Sequence, residues 1–206
     1  MKQSIQAKNK HIQQKPESIL VVKRTDICSE ELWTGYTPSD LKNELIAVQN
    51  KRVFMPRPEA EINPEYKQII PYLIFTHENK YFLMQRRATA SEQRLASKYS
   101  FGIGGHLREE DMHGNSFFDW ALREFHEEIA YSGTLTAQPL GIINDDSTDV
   151  GKVHIGFVIL LTGNSADITI KSELKSGQLL TLEECEYYYQ NMETWSQMVY
   201  EQLKKL

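Results

Sequence analysis

The chain has 206 residues and a formal net charge of −5, and 40% of its residues are hydrophobic and 25% charged. This length suits one ordinary domain with extensions or at most two small domains, and this composition argues against wholesale disorder. The acidic balance argues against a protein that coats a nucleic acid polymer, because such a protein needs a basic surface. A small phosphate ligand is still compatible, since a bound divalent metal inverts the local field.

The sequence also argues against a membrane or secreted protein. No apolar run reaches the roughly 18 residues that span a bilayer, and the basic N-terminus is not followed by the apolar segment of a secretory signal. The two cysteines, Cys28 and Cys185, have no metal-ligand spacing and are expected to be free thiols in a reducing compartment. We therefore expect a cytoplasmic protein with neither a membrane nor a nucleic acid polymer as partner.

Residues 1–60 are expected to form an N-terminal extension to a main domain at 61–206. Residues 1–15 are polar and carry no acid, which predicts a flexible arm. A strand-like apolar run follows at 18–24, and residues 40–51 have the apolar spacing of a helix. The extension is predicted to pack this strand and helix on the domain, where it covers the site or builds a homodimer.

Strand and helix patterns are mixed along the rest of the chain. Apolar runs at 68–75 and 81–87 flank a short polar link and predict a β-hairpin, with Pro71 at an edge or bulged position. A strand then enters a glycine turn, and a helix is predicted from about Ser116 to Tyr131. Because the elements lack a strict βαβ alternation, we predict an α/β (α+β) fold with a mixed sheet between helices. Further strands are predicted at 134–143, 153–161 and 178–182. A terminal helical region is predicted at 181–203.

The helix that begins near Ser116 carries a concentrated set of acidic residues. Its start has the spacing of a capping box, Ser116-x-x-Asp119. Glu124, Glu127 and Glu128 stand at i, i+3 and i+4, so their carboxylates share one face and repel each other. A hard divalent cation such as Mg²⁺ would offset that repulsion, whereas the alternative is a solvated acidic face. An apolar stripe of the same helix is predicted to face the core and is formed by Phe118, Leu122, Phe125 and Ile129.

The sequence around this helix resembles the Nudix box, a glycine and glutamate motif that ends in Arg-Glu-apolar-x-Glu-Glu-x-Gly. The segment REFHEEIAY (123–131) matches its second half except at Ala130, and GGHL (104–107) resembles its opening. The chain is four residues longer than the pattern before Arg123, with the insertion inside 108–115 and without the family's first glutamate. Nearby acids that would take its place are Glu109, Glu110 and Asp111. With the flanking strands, the resemblance covers roughly residues 65–190 and implies a Nudix-type α/β/α sandwich.

The resemblance implies a metal-dependent, MutT-like pyrophosphohydrolase. It would cleave a phosphoanhydride bond in a nucleoside diphosphate linked to another moiety, with Mg²⁺ or Mn²⁺ as cofactor. The implied metal ligands are the Gly104 carbonyl and the carboxylates of Glu124, Glu127 and Glu128. The implied catalytic residues are Arg123, Glu124, Glu128 and, on a later loop, Glu173. Residues expected to contact the substrate are Arg86, Arg87 and His106.

Two other functions stay open at this point. The altered box loop is compatible with a non-catalytic Nudix-fold domain that senses a ligand or binds a partner. An isomerase that resembles the isopentenyl diphosphate branch of the fold is disfavoured, because it needs a catalytic cysteine and both cysteines lie outside the box region. The sequence does not identify the substrate, since loops and extensions set specificity on a shared fold.

The general base also has alternatives to Glu173 on another loop. These carboxylates are Asp145, Asp146 and Asp149.

Overall fold

The computed structural model describes residues 16–28, 32–86, 97–112, 116–171 and 174–206. The strands in these ranges are β1 Ser18–Lys23, β2 Thr34–Pro38, β3 Val53–Pro56, β4 Tyr66–His77, β5 Lys80–Arg86, β6 Tyr99–Ser100, β7 Gly102–Ile103, β8 Ile129–Tyr131, β9 Leu135–Asp145, β10 His154–Gly163, β11 Ile168–Ile170 and β12 Leu174–Leu180. The helices are α1 Arg24–Ile27, α2 Lys42–Lys51, α3 Arg57–Ala60, α4 Phe117–Glu128, α5 Asp149–Val153, α6 Leu182–Glu186 and α7 Thr194–Leu203, with short 3-10 turns at Glu109–Asp111 and Tyr189–Asn191. Within these ranges, no helix has the length and apolar character needed to cross a membrane.

A mixed sheet organises the described part of the chain. Its main path runs in the order β12-β5-β4-β10-β9-β2. Strands β4 and β10 run parallel, whereas the neighbouring pairs β4–β5 and β9–β10 are antiparallel. Strand β1 pairs with both β3 and β4, and β2 pairs with β9, so strands from the first 60 residues continue this sheet.

The long strand β4 lies at the centre of the sheet. One edge pairs with β10, and the other is shared in turn by β1, β7 and β5. On this second edge, Gln68 pairs with β1 and Leu73 pairs with β7. Pro71 lies between these two residues, in the gap between the partner strands. A proline has no amide hydrogen to donate, so a gap between partner strands accommodates it.

Helices cover both faces of the sheet and make the predicted α/β/α sandwich. On one face, α2 and α4 pack over Phe157 and Phe75. On the other, α6 and α7 pack over Val158 and Ile74. The neighbours Phe157 and Val158 belong to opposite cores because successive side chains of a strand point to opposite faces.

The end of α4 and its buried stripe differ from the sequence prediction. The helix ends at Glu128, and Ile129–Tyr131 form β8, which pairs with β11. Ile129 and Tyr131 are buried while Ala130 between them is exposed, which is the alternation of a strand. Phe118 and Leu122 are only partly buried, because the helix is rotated toward a core stripe formed by Phe117, Trp120, Ala121 and Phe125.

Candidate active site

Two adjacent glycines let the chain pass closely between strand β4 and helix α4. A Cβ atom on Gly104 would lie 1.8 Å from the carbonyl oxygen of Pro71, and one on Gly105 would lie 2.6 Å from Oε2 of Glu124. Real Cβ atoms essentially never approach a heavy atom within 3.0 Å, so position 104 requires glycine, whereas a Cβ at position 105 would have to displace the end of the Glu124 side chain. The glycine turn therefore lies directly against the Glu124 carboxylate.

Helix α4 is held in a defined rotation by its cap and by one buried ring. The capping box forms as predicted, with Ser116 Oγ accepting from the Asp119 amide at 3.2 Å and Asp119 Oδ2 accepting from the Ser116 amide at 3.1 Å. Phe125 is fully buried and stacks on Phe75 with ring centroids 6.2 Å apart. This rotation turns the neighbouring Glu124 inward, where only 7% of the residue is exposed.

Arg123 connects two of the three carboxylates on α4. Its guanidinium donates hydrogen bonds to Glu124 and to Glu127, the second across the i, i+4 spacing. Arg108 Nη2 lies a further 3.4 Å from Glu127 Oε1. The side chain of Glu127 is 51% exposed and that of Glu124 is 10% exposed. The site therefore contains one buried carboxylate and one that is half exposed to solvent. Glu128 at the end of the helix is partly buried.

The loop before α4 is fastened to strand β1 at its start. The Leu20 amide donates to the Leu107 carbonyl at 2.8 Å, and Ile19 forms a β-bridge with Arg108. Arg108 also lies 3.7 Å from Glu17. The predicted insertion therefore begins on the sheet, at a strand contributed by the N-terminal region.

Arg86 ends strand β5 and forms an ion pair with Glu193, the residue that precedes α7. Burial lowers the pKa of the Arg86 guanidinium, but the charges of Glu193 and, more weakly, Glu128 outweigh this and raise it above its ordinary value. Arg86 thus stays charged and lies within electrostatic reach of the last α4 carboxylate. The predicted residues Arg87 and Glu173 lie outside the described residues.

His106 follows the glycine turn and is directed at two residues of the sheet. Its Nε2 atom lies 2.8 Å from Gln68 Oε1 and 3.2 Å from His154 Nε2. Burial, with smaller contributions from Arg57 and His154, lowers the pKa of His106 to about 3. Sequence reasoning missed His154 and Gln68 because they meet only through the parallel pairing of β10 with β4.

A buried lysine organises the loop that carries the alternative acids. Lys67 is fully buried, and its Nζ donates to Asn144 at 2.7 Å, Asp146 at 2.9 Å and the Gly151 carbonyl at 2.8 Å. Arg24 donates to both oxygens of Asp146, at 2.8 and 2.6 Å. Burial would raise the pKa of the Asp146 carboxyl, but these hydrogen bonds hold it well below its usual range. Asp146 is therefore a structural anion rather than a base.

Neither thiol has the environment of a nucleophile. Cys185 is the fully buried residue of α6, and burial raises the pKa of its thiol to about 12. Cys28 is partly buried, and burial raises its pKa as well. A thiol kept protonated in this way is inert, which argues against the isomerase alternative.

Comparison with known proteins identifies relatives that span this chain, although no protein family model matches it. Protein YmaB of Bacillus subtilis strain 168 is 34% identical over 199 residues, which cover 89% of this chain and 95% of that protein. The crystal structure of Tm1382, described as a Nudix hydrolase, is 30% identical and superposes with a TM-score of 0.73. That match covers 91% of this chain and 98% of Tm1382.

A more distant structure shares the fold. It is a bifunctional NMN adenylyltransferase/ADP ribose pyrophosphatase from Francisella tularensis, solved with AMP and a Mn ion. The identity is 13% and the TM-score 0.50, over 68% of this chain and 41% of that one.

Proposed function

The chain belongs to the Nudix hydrolase family, and from that premise we propose that it cleaves a phosphoanhydride bond in a nucleoside diphosphate linked to another moiety, with a divalent metal as cofactor. The observation that carries the proposal is the placement of Glu124. This carboxylate is buried on α4 and pressed against Gly105, at the glycine turn that the family motif places beside its metal ligands. Burying a carboxylate is costly unless it is paired; Arg123 supplies part of that compensation, and a bound cation would supply more.

The donors around this turn fit Mg²⁺ or Mn²⁺. Both ions prefer oxygen ligands, and Glu124, Glu127 and Glu128 offer carboxylate oxygens while Gly104 offers a backbone carbonyl. When bound, such an ion neutralises charge on the substrate phosphates and makes water a better nucleophile. The graded exposure of Glu124 and Glu127 suits ions that keep several waters and take phosphate oxygens as further ligands.

The chain's own residues then have two kinds of role, to position the reacting groups and to transfer a proton. Arg123 positions the carboxylates of Glu124 and Glu127 through its two hydrogen bonds. Glu128 or Glu124 acts as the general base, with Glu173 as the loop candidate. Arg86, kept charged by Glu193, attracts a substrate phosphate from the side of Glu128.

The substrate class is nucleotide-derived and small. The Francisella tularensis enzyme with this fold is an ADP ribose pyrophosphatase and was solved with AMP. The net charge of −5 disfavours a nucleic acid polymer. His106 engages Gln68 and His154, so its contact with the substrate stays a prediction.

A substrate panel tests the proposal. The purified full chain is incubated with nucleotide sugars, dinucleotides and nucleoside triphosphates in Mg²⁺ or Mn²⁺, and released nucleoside monophosphate, phosphate or pyrophosphate is measured. We expect hydrolysis of a nucleoside diphosphate linked to a second group, and a loss of about 100-fold or more in kcat for Glu128→Gln. Glu201→Gln, an exposed glutamate on α7, is the matched control and keeps the parent rate.

Two outcomes would contradict this proposal. Equal rates for the parent and both Glu124→Gln and Glu128→Gln would remove the α4 carboxylates from the reaction. No hydrolysis across the panel, combined with tight binding of one of its members, would instead favour the ligand-sensing alternative.

A further inference from the structure

Three side chains of types that can ligate a metal come from separate segments and meet next to the glycine turn. Glu61 follows α3, His106 follows Gly105, and His154 begins β10. Their ligand atoms all lie within 4.8 Å of one another, and no other group of this kind occurs in the part of the chain that the structure describes. None of the three belongs to the carboxylates of α4.

The two imidazoles already have the spacing of metal ligands, and His154 has the orientation of one. Their Nε2 atoms are 3.2 Å apart. Two nitrogens at about 2.05 Å from one tetrahedral ion are about 3.3 Å apart. The Nδ1 of His154 donates to the Val150 carbonyl at 2.7 Å and thereby turns Nε2 toward His106. Histidines that bind metals are oriented in this way, by a hydrogen bond from the other ring nitrogen to a backbone carbonyl.

Gln68 lies beside this cluster of Glu61, His106 and His154. Its side-chain oxygen is a fourth potential metal ligand, and its hydrogen bonds are incomplete. It is 1% exposed, and its Oε1 lies 2.8 Å from His106 Nε2, the same atom that faces His154. One proton on His106 would have to serve both neighbours. The buried amide nitrogen of Gln68 has no hydrogen-bond partner among the described residues. A buried N–H donor left in this state indicates a missing acceptor such as a water molecule.

The positive charge of Arg57 opposes a cation at this site, because the guanidinium lies nearby. The guanidinium of Arg57 is close enough to His106 to affect its pKa. It is paired with Glu61 at 3.3 Å and with Glu17 at 3.2 Å. Glu17 also lies 3.7 Å from Arg108, so Glu61 is the main group that offsets the charge of Arg57, and its second oxygen can be offered to an ion. Arg57 therefore weakens the site without cancelling it.

We propose that Glu61, His106 and His154, assisted by Gln68 Oε1, bind a divalent transition metal of the Zn²⁺ class at a site separate from the α4 carboxylates. Imidazole nitrogens suit Zn²⁺ and its neighbours in the first transition row, whereas Mg²⁺ takes oxygen ligands. The ion would tie the end of α3 and the start of β10 to the residue that follows Gly105. It would thus brace the turn against which Glu124 lies.

Metal binding by the full chain tests this directly. Protein stripped with a chelator is titrated with Zn²⁺ by calorimetry in excess Mg²⁺, which occupies oxygen-rich sites. We expect one equivalent of Zn²⁺ to bind and His154→Gln to weaken that binding by at least about tenfold. His126→Gln, an exposed histidine on α4, and Glu128→Gln should both bind as the parent does. Arg57→Gln should bind more tightly, because a like charge is removed and Glu61 is released.

The result that would overturn the proposal is Zn²⁺ uptake that is the same in the parent and in His154→Gln, or that is lost in Glu128→Gln instead. If His154→Gln fails to fold by circular dichroism, Glu61→Gln decides, since this residue is only partly buried. Unchanged Zn²⁺ affinity in a folded Glu61→Gln protein would then exclude the three-residue site. These are binding measurements, so they stand or fall independently of the hydrolysis assay.

Discussion

Gly104 and Gly105 offer a pair of alanine substitutions that should have opposite consequences. An alanine at 104 places Cβ 1.8 Å from the backbone carbonyl of Pro71, inside the central strand β4. To reach the 3.0 Å limit, that strand must move by roughly 1.2 Å. Overpacking of this kind costs about 1–3 kcal/mol, and a left-handed backbone conformation adds about 1–2 kcal/mol for a residue with a Cβ. Gly104 has a φ of 158°, at the border of that region.

Gly105→Ala presses on a side chain instead. Its Cβ lies 2.6 Å from Glu124 Oε2, so the carboxylate must retreat by roughly 0.4 Å or more. This movement costs little folding stability, because the displaced atoms are the end of a side chain. It moves a proposed metal ligand, however, and small displacements of such groups cost about 10- to 100-fold in rate.

Thermal unfolding and steady-state kinetics on both variants separate the two effects. We expect Gly104→Ala to lower Tm by about 6–12 °C, given about 3 kcal/mol and about 2–4 °C per kcal/mol for a chain of this size. Gly105→Ala should unfold close to the parent temperature and lose at least about tenfold in kcat. A Gly105→Ala protein that is unfolded, or one that is as active as the parent, would refute the placement of Glu124 against the turn.

Three further predictions concern the core and the buried network. Phe125→Ala should cost about 3–5 kcal/mol in urea unfolding, because a fully buried ring stacked on Phe75 is removed; a cost under about 1 kcal/mol would contradict the burial. Lys67→Met should cost on the order of 3 kcal/mol in the same assay, since it leaves Asp146 short of a partner, and a neutral effect would show that Arg24 compensates fully. Because the pKa of Asp146 is lowered on folding, its stabilisation is present above about pH 4 and is lost as the pH falls through the folded-state value. The loss of stability between about pH 4 and pH 2 should therefore be smaller in Asp146→Asn than in the parent, and identical profiles would argue against the paired carboxylate.

Local features of the fold could be predicted from the sequence because their signals are local. The Ser116–Asp119 capping box depends on a spacing of three residues, and it forms as expected. The hairpin of β4 and β5 likewise follows from two apolar runs around a short polar link. The sequence predicts the end of α4 too late, near Tyr131 rather than at Glu128, because Ile129–Tyr131 have helical spacing with the residues before them. Pairing with β11 gives them a strand partner that no local pattern indicates.

The candidate site shows the same division. The α4 carboxylates and the glycine turn belong to one motif, so their proximity could be expected from the resemblance. His154 and Gln68 lie beside His106 only because β10 pairs in parallel with β4, and a pairing between distant strands leaves no mark on either segment alone. In the sequence, Lys67 is one polar residue directly before the apolar run at 68–75. Its burial depends on acceptors contributed by the 144–151 loop, which the sequence does not place there.

The central claim is that carboxylates on one helix bind the divalent metal that this hydrolase uses. Mn²⁺ binding to the stripped full chain, measured by electron paramagnetic resonance alongside hydrolysis, tests it most directly. We expect Glu124→Gln to weaken Mn²⁺ binding by about tenfold or more and to lower the activity with it, whereas Glu201→Gln should alter neither. Unchanged Mn²⁺ binding in a folded Glu124→Gln protein would show that the carboxylates of α4 do not hold the metal.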